Sequence, residues 1–184
     1  MNYDLIEHGR CVVAYRGIEA GDLKQMGHAY KTEHEATYEL LAEVLREHFG
    51  VELSKLEIVK GEHGKPYFKD NDIYFNVSHC RGLSVCAVAY GAEVGVDAEN
   101  IRAYRANVAK RIFNEAELEA LEGATDKDEF FFNVWTFKES VVKLSGEGLS
   151  WDAKELDYFN NDFDVAQHKI SVGDTDYIIT IAMK

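Results

Sequence analysis

Two acidic residues, Asp97 and Glu99, lie in a stretch where they alternate with apolar residues, Val94, Val96 and Ala98. On a β-strand this alternation places both carboxylates on one face and the apolar side chains on the other. Adjacent carboxylates repel each other unless a cation or proton lies between them, and oxygen ligands without His or Cys suit Mg²⁺ better than Zn²⁺. The stretch therefore predicts a magnesium site. Two exposed acids at a strand end stay an open alternative in a chain with 33 acidic residues.

A second pair of charged residues, Glu139 and Lys143, lies within an apolar helical pattern. Steps of three and four residues predict one buried stripe of a long helix, formed by Phe130, Val134, Phe137, Val141 and Leu144. Glu139 and Lys143 fall on the neighbouring face, together with Trp135. Charges among apolar side chains cost free energy unless a charged group meets them, which favours a ligand site. The open alternative is a surface pair between Glu139 and Lys143, worth about 0.2–0.5 kcal/mol.

Polar residues also end the apolar strand that precedes the acidic pair. Ser78 and His79 close the alternating stretch 73–79, and Lys65 lies in a Gly-Lys-Pro turn further upstream. Strand ends and turns often carry ligand-binding side chains. A structural His and a solvated turn lysine are the alternatives that these residues alone leave open.

The elements that must position these residues alternate between strands and helices. Period-2 patterns predict strands at 3–8, 10–16, 56–60, 73–79, 83–90 and 93–99, and two or three more within 156–170 and 176–183. Helical patterns predict one or two helices within 21–49 and others at 102–113, at 114–121 and from 126 onward. The helix at 114–121 begins with a capping-box pattern, Asn114 and Glu117. This order predicts an α+β fold of two similar halves, residues 1–99 and 100–184.

The composition excludes several classes of function. The net charge of −13 argues against general binding to nucleic acid or to anionic membranes. No apolar run approaches the roughly 20 residues that span a bilayer, and the first residues show no signal-peptide pattern. The three cysteines lack metal-type spacing and are typical of reduced thiols, so we predict a cytoplasmic protein.

The informative stretches occur together and in a fixed order: Gly64-Lys-Pro, Phe75-Asn-Val-Ser-His79, Gly95-Val-Asp-Ala-Glu99 and Trp135-Thr-Phe-Lys-Glu139-Ser-Val-Val-Lys143. In these motifs the chain resembles the 4′-phosphopantetheinyl transferases of the larger, monomeric Sfp type. The resemblance is strong over about residues 60–150 and weak elsewhere. It implies transfer of phosphopantetheine from coenzyme A to a serine of an acyl or peptidyl carrier protein, with release of adenosine 3′,5′-bisphosphate. It also implies a monomer whose two halves are related by pseudo-twofold symmetry, with coenzyme A in the cleft between them.

The same resemblance implies roles for individual residues. Asp97, Glu99 and Glu139 match the acids that hold Mg²⁺, for which Mn²⁺ can substitute. Glu139 is also the stronger candidate to accept the serine proton. Glu117 matches a helix acid sometimes proposed as the base, although its capping-box position explains it equally well.

The expected coenzyme A contacts are mostly basic. Lys143 matches a catalytic lysine on the coenzyme A phosphates, and Lys138 lies in the same motif. Ser78 and His79 match residues that contact a phosphate, and Lys65 matches the lysine of the Gly-Lys-Pro turn near it. The basic and hydroxyl residues that relatives often carry for the adenosine end are replaced by Tyr38 and Glu39, which leaves Lys24 and Lys31 as candidate substitutes.

A carrier protein of this kind is usually acidic, as is this chain, so its docking needs a local basic surface. Residues 100–113 contain no acid and hold Arg102, Arg105, Lys110 and Arg111. On a helix these residues would steer an acidic partner, although a solvated helix face is the simpler alternative. Two other functions stay open from the sequence: a catalytically degenerate module that binds coenzyme A or a carrier, and a Mg²⁺-dependent phosphohydrolase that uses the same acids.

Overall fold

Two antiparallel sheets lie face to face in the computed structural model, which describes residues 3–18, 33–147 and 153–184. The strand order of the first sheet is β1 (Asp4–His8), β2 (Cys11–Gly17), β6 (Leu83–Tyr90) and β5 (Ile73–Cys80). That of the second is β7 (Val94–Asn100), β9 (Thr175–Met183) and β8 (Asp164–Val172). A separate hairpin pairs β3 (Ile58–Lys60) with β4 (Pro66–Phe68). The helices are α1 (Glu33–Phe49), a 3₁₀ turn (Leu53–Lys55), α2 (Ala106–Ile112), α3 (Glu115–Gly123) and α4 (Lys127–Ser145).

The core follows from the alternation of apolar side chains on the strands. Val85 of the first sheet shares one cluster with Val96 and Ile179 of the second, so the inner faces of the two sheets pack together. The outer face of the first sheet is covered by α1, whose Leu41 lies in the same cluster as Phe75 of β5. This layering confirms the α+β class, and the predicted pseudo-twofold relation stays a prediction.

Helix α4 covers the outer face of the second sheet. The predicted stripe is buried at Val134, Phe137, Val141 and Leu144 and half-buried at Phe130. Asp126 caps the start of the helix, accepting a hydrogen bond from the Glu129 amide at 2.9 Å, and Gly146 ends it with a φ of +70°. Gly95 on β7 permits the close approach of this helix, because a Cβ there would lie 2.1 Å from the Ser140 carbonyl oxygen.

The point at which the chain passes from the first sheet to the second does not lie after residue 99. Strand β7 pairs with β9 from Val94 to Asn100, so a division into 1–99 and 100–184 separates this strand from its own sheet. The change of sheet falls between Tyr90 and Val94 instead. The acidic pair therefore belongs to the second sheet.

Two predicted element bounds need correction. Helix α2 begins at Ala106 rather than at residue 102, because Arg102 is held by Glu99 and by the backbone carbonyl of Asn100. Strand β8 begins at Asp164 rather than near 156, because the preceding backbone bonds to buried side chains described below. Helix α1 confirms the predicted helix over its described part, Glu33–Phe49, and residues 21–32 of the predicted range lie outside the described residues.

Candidate functional site

Two side chains of β5 bond to the backbone of β7 and thereby join the two sheets. The Asn76 side-chain oxygen accepts from the Val96 amide at 2.9 Å, and the Ser78 hydroxyl oxygen accepts from the Ala98 amide at 3.2 Å. These bonds place Ser78 next to Asp97, to whose Oδ1 its hydroxyl donates at 3.1 Å. The predicted serine and the predicted metal acid are therefore in direct contact.

Asp97 also receives the ammonium of Lys143. The Lys143 Nζ lies 2.6 Å from Asp97 Oδ1 and 3.1 Å from the Ser78 hydroxyl oxygen. Lys143 thus pairs with Asp97 across two elements, and the alternative of a surface pair with Glu139 is wrong. The other carboxylate oxygen, Asp97 Oδ2, is buried and has no hydrogen-bond partner among the described residues. A buried acceptor without a donor costs free energy unless a ligand or water reaches it.

Glu139 and Glu99 extend the negative charge around Asp97. Burial raises the pKa of Glu139, and the charges of Asp97 and Glu99 raise it further, whereas Lys143 lowers it. Glu99 accepts a bond from Arg102 at 2.8 Å. The three predicted metal acids are therefore close enough to act on one another electrostatically.

Glu139 and Lys143 line a cleft of about 320 Å³. Its walls come from both sides of the molecule: His63, Gly64, Lys65, Pro66, Asn76 and Val77 from the first part of the chain, and Glu139, Val142, Lys143 and Gly146 from α4 and its end. Of the predicted residues, Lys65, Glu139 and Lys143 thus share one cleft. Asp97 and Ser78 adjoin it through Lys143.

The acids fit a divalent cation in kind, although the side chains are not arranged around one. Within 3–18, 33–147 and 153–184, no three His, Cys, Asp or Glu residues form a group that could hold a metal ion. Asp97 Oδ1 bonds instead to Lys143 and Ser78, and Glu99 bonds to Arg102. The unpartnered Asp97 Oδ2 and the mutually repelling carboxylates are nonetheless the hard oxygen donors that Mg²⁺ prefers.

Lys65 lies at the cleft, but its ammonium is turned into the protein. It donates to the Leu144 carbonyl at 2.8 Å and lies 3.4 Å from the Val94 carbonyl oxygen. Burial lowers its pKa, whereas the charge of Glu93 raises it. The ammonium therefore contacts the end of α4 rather than open space.

Lys138 and Glu117 form a closed pair, so their predicted roles need correction. Lys138 is 3% exposed, and its Nζ lies 2.9 Å from Glu117 Oε1, 2.7 Å from the Ala153 carbonyl and 2.6 Å from the Leu156 carbonyl. Fully buried Glu117 also accepts from the amides of Asn114 and Tyr158, each at 2.9 Å. A coenzyme A contact for Lys138 and a base role for Glu117 do not fit this burial, whereas the capping box is confirmed.

His79 lies apart from the cleft residues. Its ring is 39% exposed and its Nδ1 lies 3.7 Å from a carboxylate oxygen of Glu33 on α1. The ring of His34 is also near, at 6.3 Å between centroids. The phosphate contact of His79 stays a prediction. Lys24 and Lys31, the candidate contacts for the adenosine end of coenzyme A, lie outside the described residues.

The basic segment forms the rim of a second, smaller groove of about 230 Å³. Arg102 stacks over the Phe132 ring at 4.7 Å, and the groove is lined by Glu99, Arg102, Ala103, Tyr104, Arg105, Val108, Phe131, Phe132 and Trp135. Of the four basic residues, only Lys110 and Arg111 are on α2, since Arg102 and Arg105 precede it. The prediction of one basic helical face is therefore wrong, although the four residues do lie in one segment.

The sequence-based interpretation missed two contributions to the site. Asn76 joins the sheets and lines the cleft, and its only signal is an amide inside an otherwise apolar strand. Arg102 neutralises Glu99, for which the spacing of three residues was the available signal. No pattern indicated that Lys65 would bond to the end of α4.

Comparison with known proteins finds similar proteins in one superfamily. The model of the 4′-phosphopantetheinyl transferase superfamily matches residues 93–181. The chain is 30% identical to the 4′-phosphopantetheinyl transferase HetI of Nostoc sp., over 72% of this chain and 61% of that protein. It is 34% identical to the 4′-phosphopantetheinyl transferase Sfp of Bacillus subtilis, over 60% of this chain and 50% of that protein. For the 4′-phosphopantetheinyl transferase gsp of Aneurinibacillus migulanus, identity is 39% over 49% of this chain and 38% of that protein.

The chain is therefore similar to the 4′-phosphopantetheinyl transferase superfamily, and in particular to its Sfp-type members. It spans about two fifths to three fifths of the length of these curated relatives. No helix of the described residues is both long and apolar enough to cross a membrane.

Proposed function

We propose that the chain is a 4′-phosphopantetheinyl transferase, which moves the phosphopantetheine arm of coenzyme A onto a serine of an acyl or peptidyl carrier protein. Similarity to the superfamily supports this reaction class. The observation that carries the proposal is the contact of Lys143 with Ser78 and Asp97 at the cleft, with Glu139 beside it. An ammonium, a hydroxyl and a set of carboxylates suit a diphosphate bound together with a divalent cation.

Coenzyme A would lie in the cleft with its diphosphate near Lys143. The Lys143 ammonium can make charge-assisted bonds to phosphate oxygens, and the Ser78 hydroxyl can donate another. Because the Lys143 side chain is 28% exposed, its ammonium has room to move from Asp97 towards a ligand. Asp97, Glu99 and Glu139 would hold Mg²⁺ or Mn²⁺, which neutralises charge on the diphosphate.

The transfer itself balances as one displacement at phosphorus. The serine oxygen of the carrier forms a bond to the phosphorus that bears the pantetheine arm, and the bond from that phosphorus to the bridging oxygen breaks. The leaving group is adenosine 3′,5′-bisphosphate, which keeps the bridging oxygen. Glu139 accepts the serine proton, a role supported by its raised pKa, because a weaker acid has a more basic conjugate carboxylate.

The carrier would dock beside the cleft on the groove that Arg102 and Arg105 border. Aromatic side chains at its base, Phe131 and Trp135, offer apolar contact, and exposed Lys110 and Arg111 extend the positive charge. Glu99 lines this groove and, through its effect on Glu139, is also coupled to the acidic cluster. A carrier serine bound there would therefore lie close to the carboxylates.

One incubation separates this proposal from its alternatives. The protein is mixed with coenzyme A and Mg²⁺, with or without a carrier, and bisphosphate release and carrier mass are followed. If the protein is a transferase, bisphosphate is released only when a carrier with its serine is present. A Ser→Ala carrier is the matched control. Release without a carrier would indicate a phosphohydrolase, and coenzyme A binding without any release would indicate a binding module.

A further inference from the structure

Lys65 joins three segments that line or support the cleft. The residue lies in the turn before β4, yet its ammonium donates to the carbonyl of Leu144 at 2.8 Å. The same ammonium lies 3.4 Å from the carbonyl oxygen of Val94, the first residue of β7. Segments far apart in the sequence are thus held by one charged group.

The contact supplies a donor to a carbonyl group at the end of α4. The last four carbonyl groups of a helix have no intrahelical partner, and a cation there is also favoured by the helix dipole. The Gly146 amide bonds to the Val142 carbonyl at 3.1 Å, and Lys65 supplies a donor to Leu144. The stem of Lys65 packs on Gly146, where a Cβ would lie 3.1 Å from Lys65 Cδ.

The two bonded carbonyls adjoin the reactive side chains. Leu144 directly follows Lys143, and Val94 lies three residues before Asp97 on the same strand. Gly95 allows α4 and β7 to touch at this point, so a shift of the helix end would move Lys143 relative to Asp97. The position of the Lys65 ammonium is therefore coupled to the geometry of the site.

We propose that Lys65 is a positioning residue, which fixes the last turn of α4 against β7 and so holds Lys143 at the cleft, instead of binding a phosphate itself. The inference rests on the proposed function of the cleft as a coenzyme A site. It differs from the phosphate contact that the sequence motif implies for this lysine. The lowered pKa of Lys65 agrees with an ammonium buried in protein.

The test compares Lys65→Met, which keeps the stem and removes the donors, with Lys65→Arg, which keeps a cation. Amide hydrogen exchange of residues 141–147 is measured in the ligand-free proteins, and coenzyme A affinity is titrated at several salt concentrations. Lys60→Met is the matched control, because Lys60 is an exposed lysine of the same hairpin and its loss changes the net charge equally.

We expect Lys65→Met to accelerate exchange at the end of α4 by roughly tenfold or more, as the loss of a hydrogen bond to a charged group implies. Lys65→Arg should restore most of the protection, and Lys60→Met should leave it unchanged. Coenzyme A affinity should fall in Lys65→Met without any change in its salt dependence, because the missing charge does not face the phosphates.

Unchanged exchange in Lys65→Met would overturn the inference, whatever happens to affinity. Weaker salt dependence of coenzyme A binding with normal exchange would identify Lys65 as a phosphate ligand. If the wild-type protein binds no coenzyme A, the proposed function fails, and the exchange data still decide whether Lys65 holds the helix end.

Discussion

Two lysines of α4, Lys138 and Lys143, each pair with a carboxylate, but the two pairs have opposite surroundings. Lys138 and Glu117 are buried, and their charged groups are enclosed by backbone groups of Asn114, Ala153 and Tyr158. Lys143 and Asp97 meet at a cleft, where one oxygen of Asp97 has no partner among the described residues. The first pair is complete as a structural contact. The second is incomplete, and this difference marks it as the place for a ligand.

Helix geometry explains how one motif supplies both pairs. Side chains five residues apart on an α-helix point in directions that differ by about 140°, so Lys138 and Lys143 face different neighbours. Lys138 faces α3 and the loop before β8, whereas Lys143 faces β5 and β7. A match to the motif therefore cannot show which of the two lysines faces a ligand. Their contacts can, because they separate the buried Lys138 from Lys143 at the cleft.

The largest expected effect concerns the closed pair. Lys138→Met should lower the free energy of unfolding by about 3–5 kcal/mol, because it leaves the charge of Glu117 buried without its cation. Urea unfolding measures this loss. The double variant Lys138→Met with Glu117→Gln should recover part of it, and a loss below about 1 kcal/mol in the single variant would contradict the structural role.

The corresponding change in the open pair should act on ligand binding. Lys143→Met should weaken coenzyme A binding by about 1.5–3 kcal/mol, the range for a hydrogen bond to a charged group, and should change stability less than Lys138→Met does. Calorimetric titration and thermal unfolding give the two quantities. Unchanged affinity with a lower melting temperature would show that Lys143 is a structural partner as well.

A smaller effect on stability is expected from replacing Glu139. Its pKa is raised by burial and by the charges of Asp97 and Glu99. A carboxylate with a higher pKa in the folded than in the unfolded state binds its proton more tightly when folded. The folded state is then relatively less stable once the pH rises through the unfolded value. Glu139→Gln should therefore raise the melting temperature at pH 7 but not at pH 4, without added metal. Equal shifts at both pH values would contradict this assignment.

The smallest expected effect concerns the rim of the second groove. Arg105→Glu with Lys110→Glu should raise the carrier KM a few-fold and leave the coenzyme A KM unchanged, since exposed charges contribute about 1 kcal/mol or less and act on association. The effect should fade at high salt. The exposed pair Lys55→Glu and Lys60→Glu is the charge-matched control. If both double variants raise the carrier KM equally, the carrier docks elsewhere.

The sequence predicted what depends on local patterns. Alternation on β5, β6 and β7 placed Ser78 and Asp97 on their correct faces, and the Asn114–Glu117 capping box is present. Local patterns could not show that Glu117 reaches Tyr158, or that Lys65 reaches Leu144, because these contacts join residues far apart in the sequence. They also could not show that Arg102 folds back on Glu99 and delays the start of α2.

The most direct test of the account is the rate at which Asp97→Asn transfers phosphopantetheine to a carrier, followed by the intact mass of the carrier. The wild-type protein should modify the carrier serine in the presence of coenzyme A and Mg²⁺. Asp97→Asn should be slower by about 10²–10³-fold, the typical cost of removing one electrostatic group from an active site, while its thermal unfolding shows that it is folded. A folded Asp97→Asn protein with the wild-type rate would contradict the assignment of the open pair as the reaction centre.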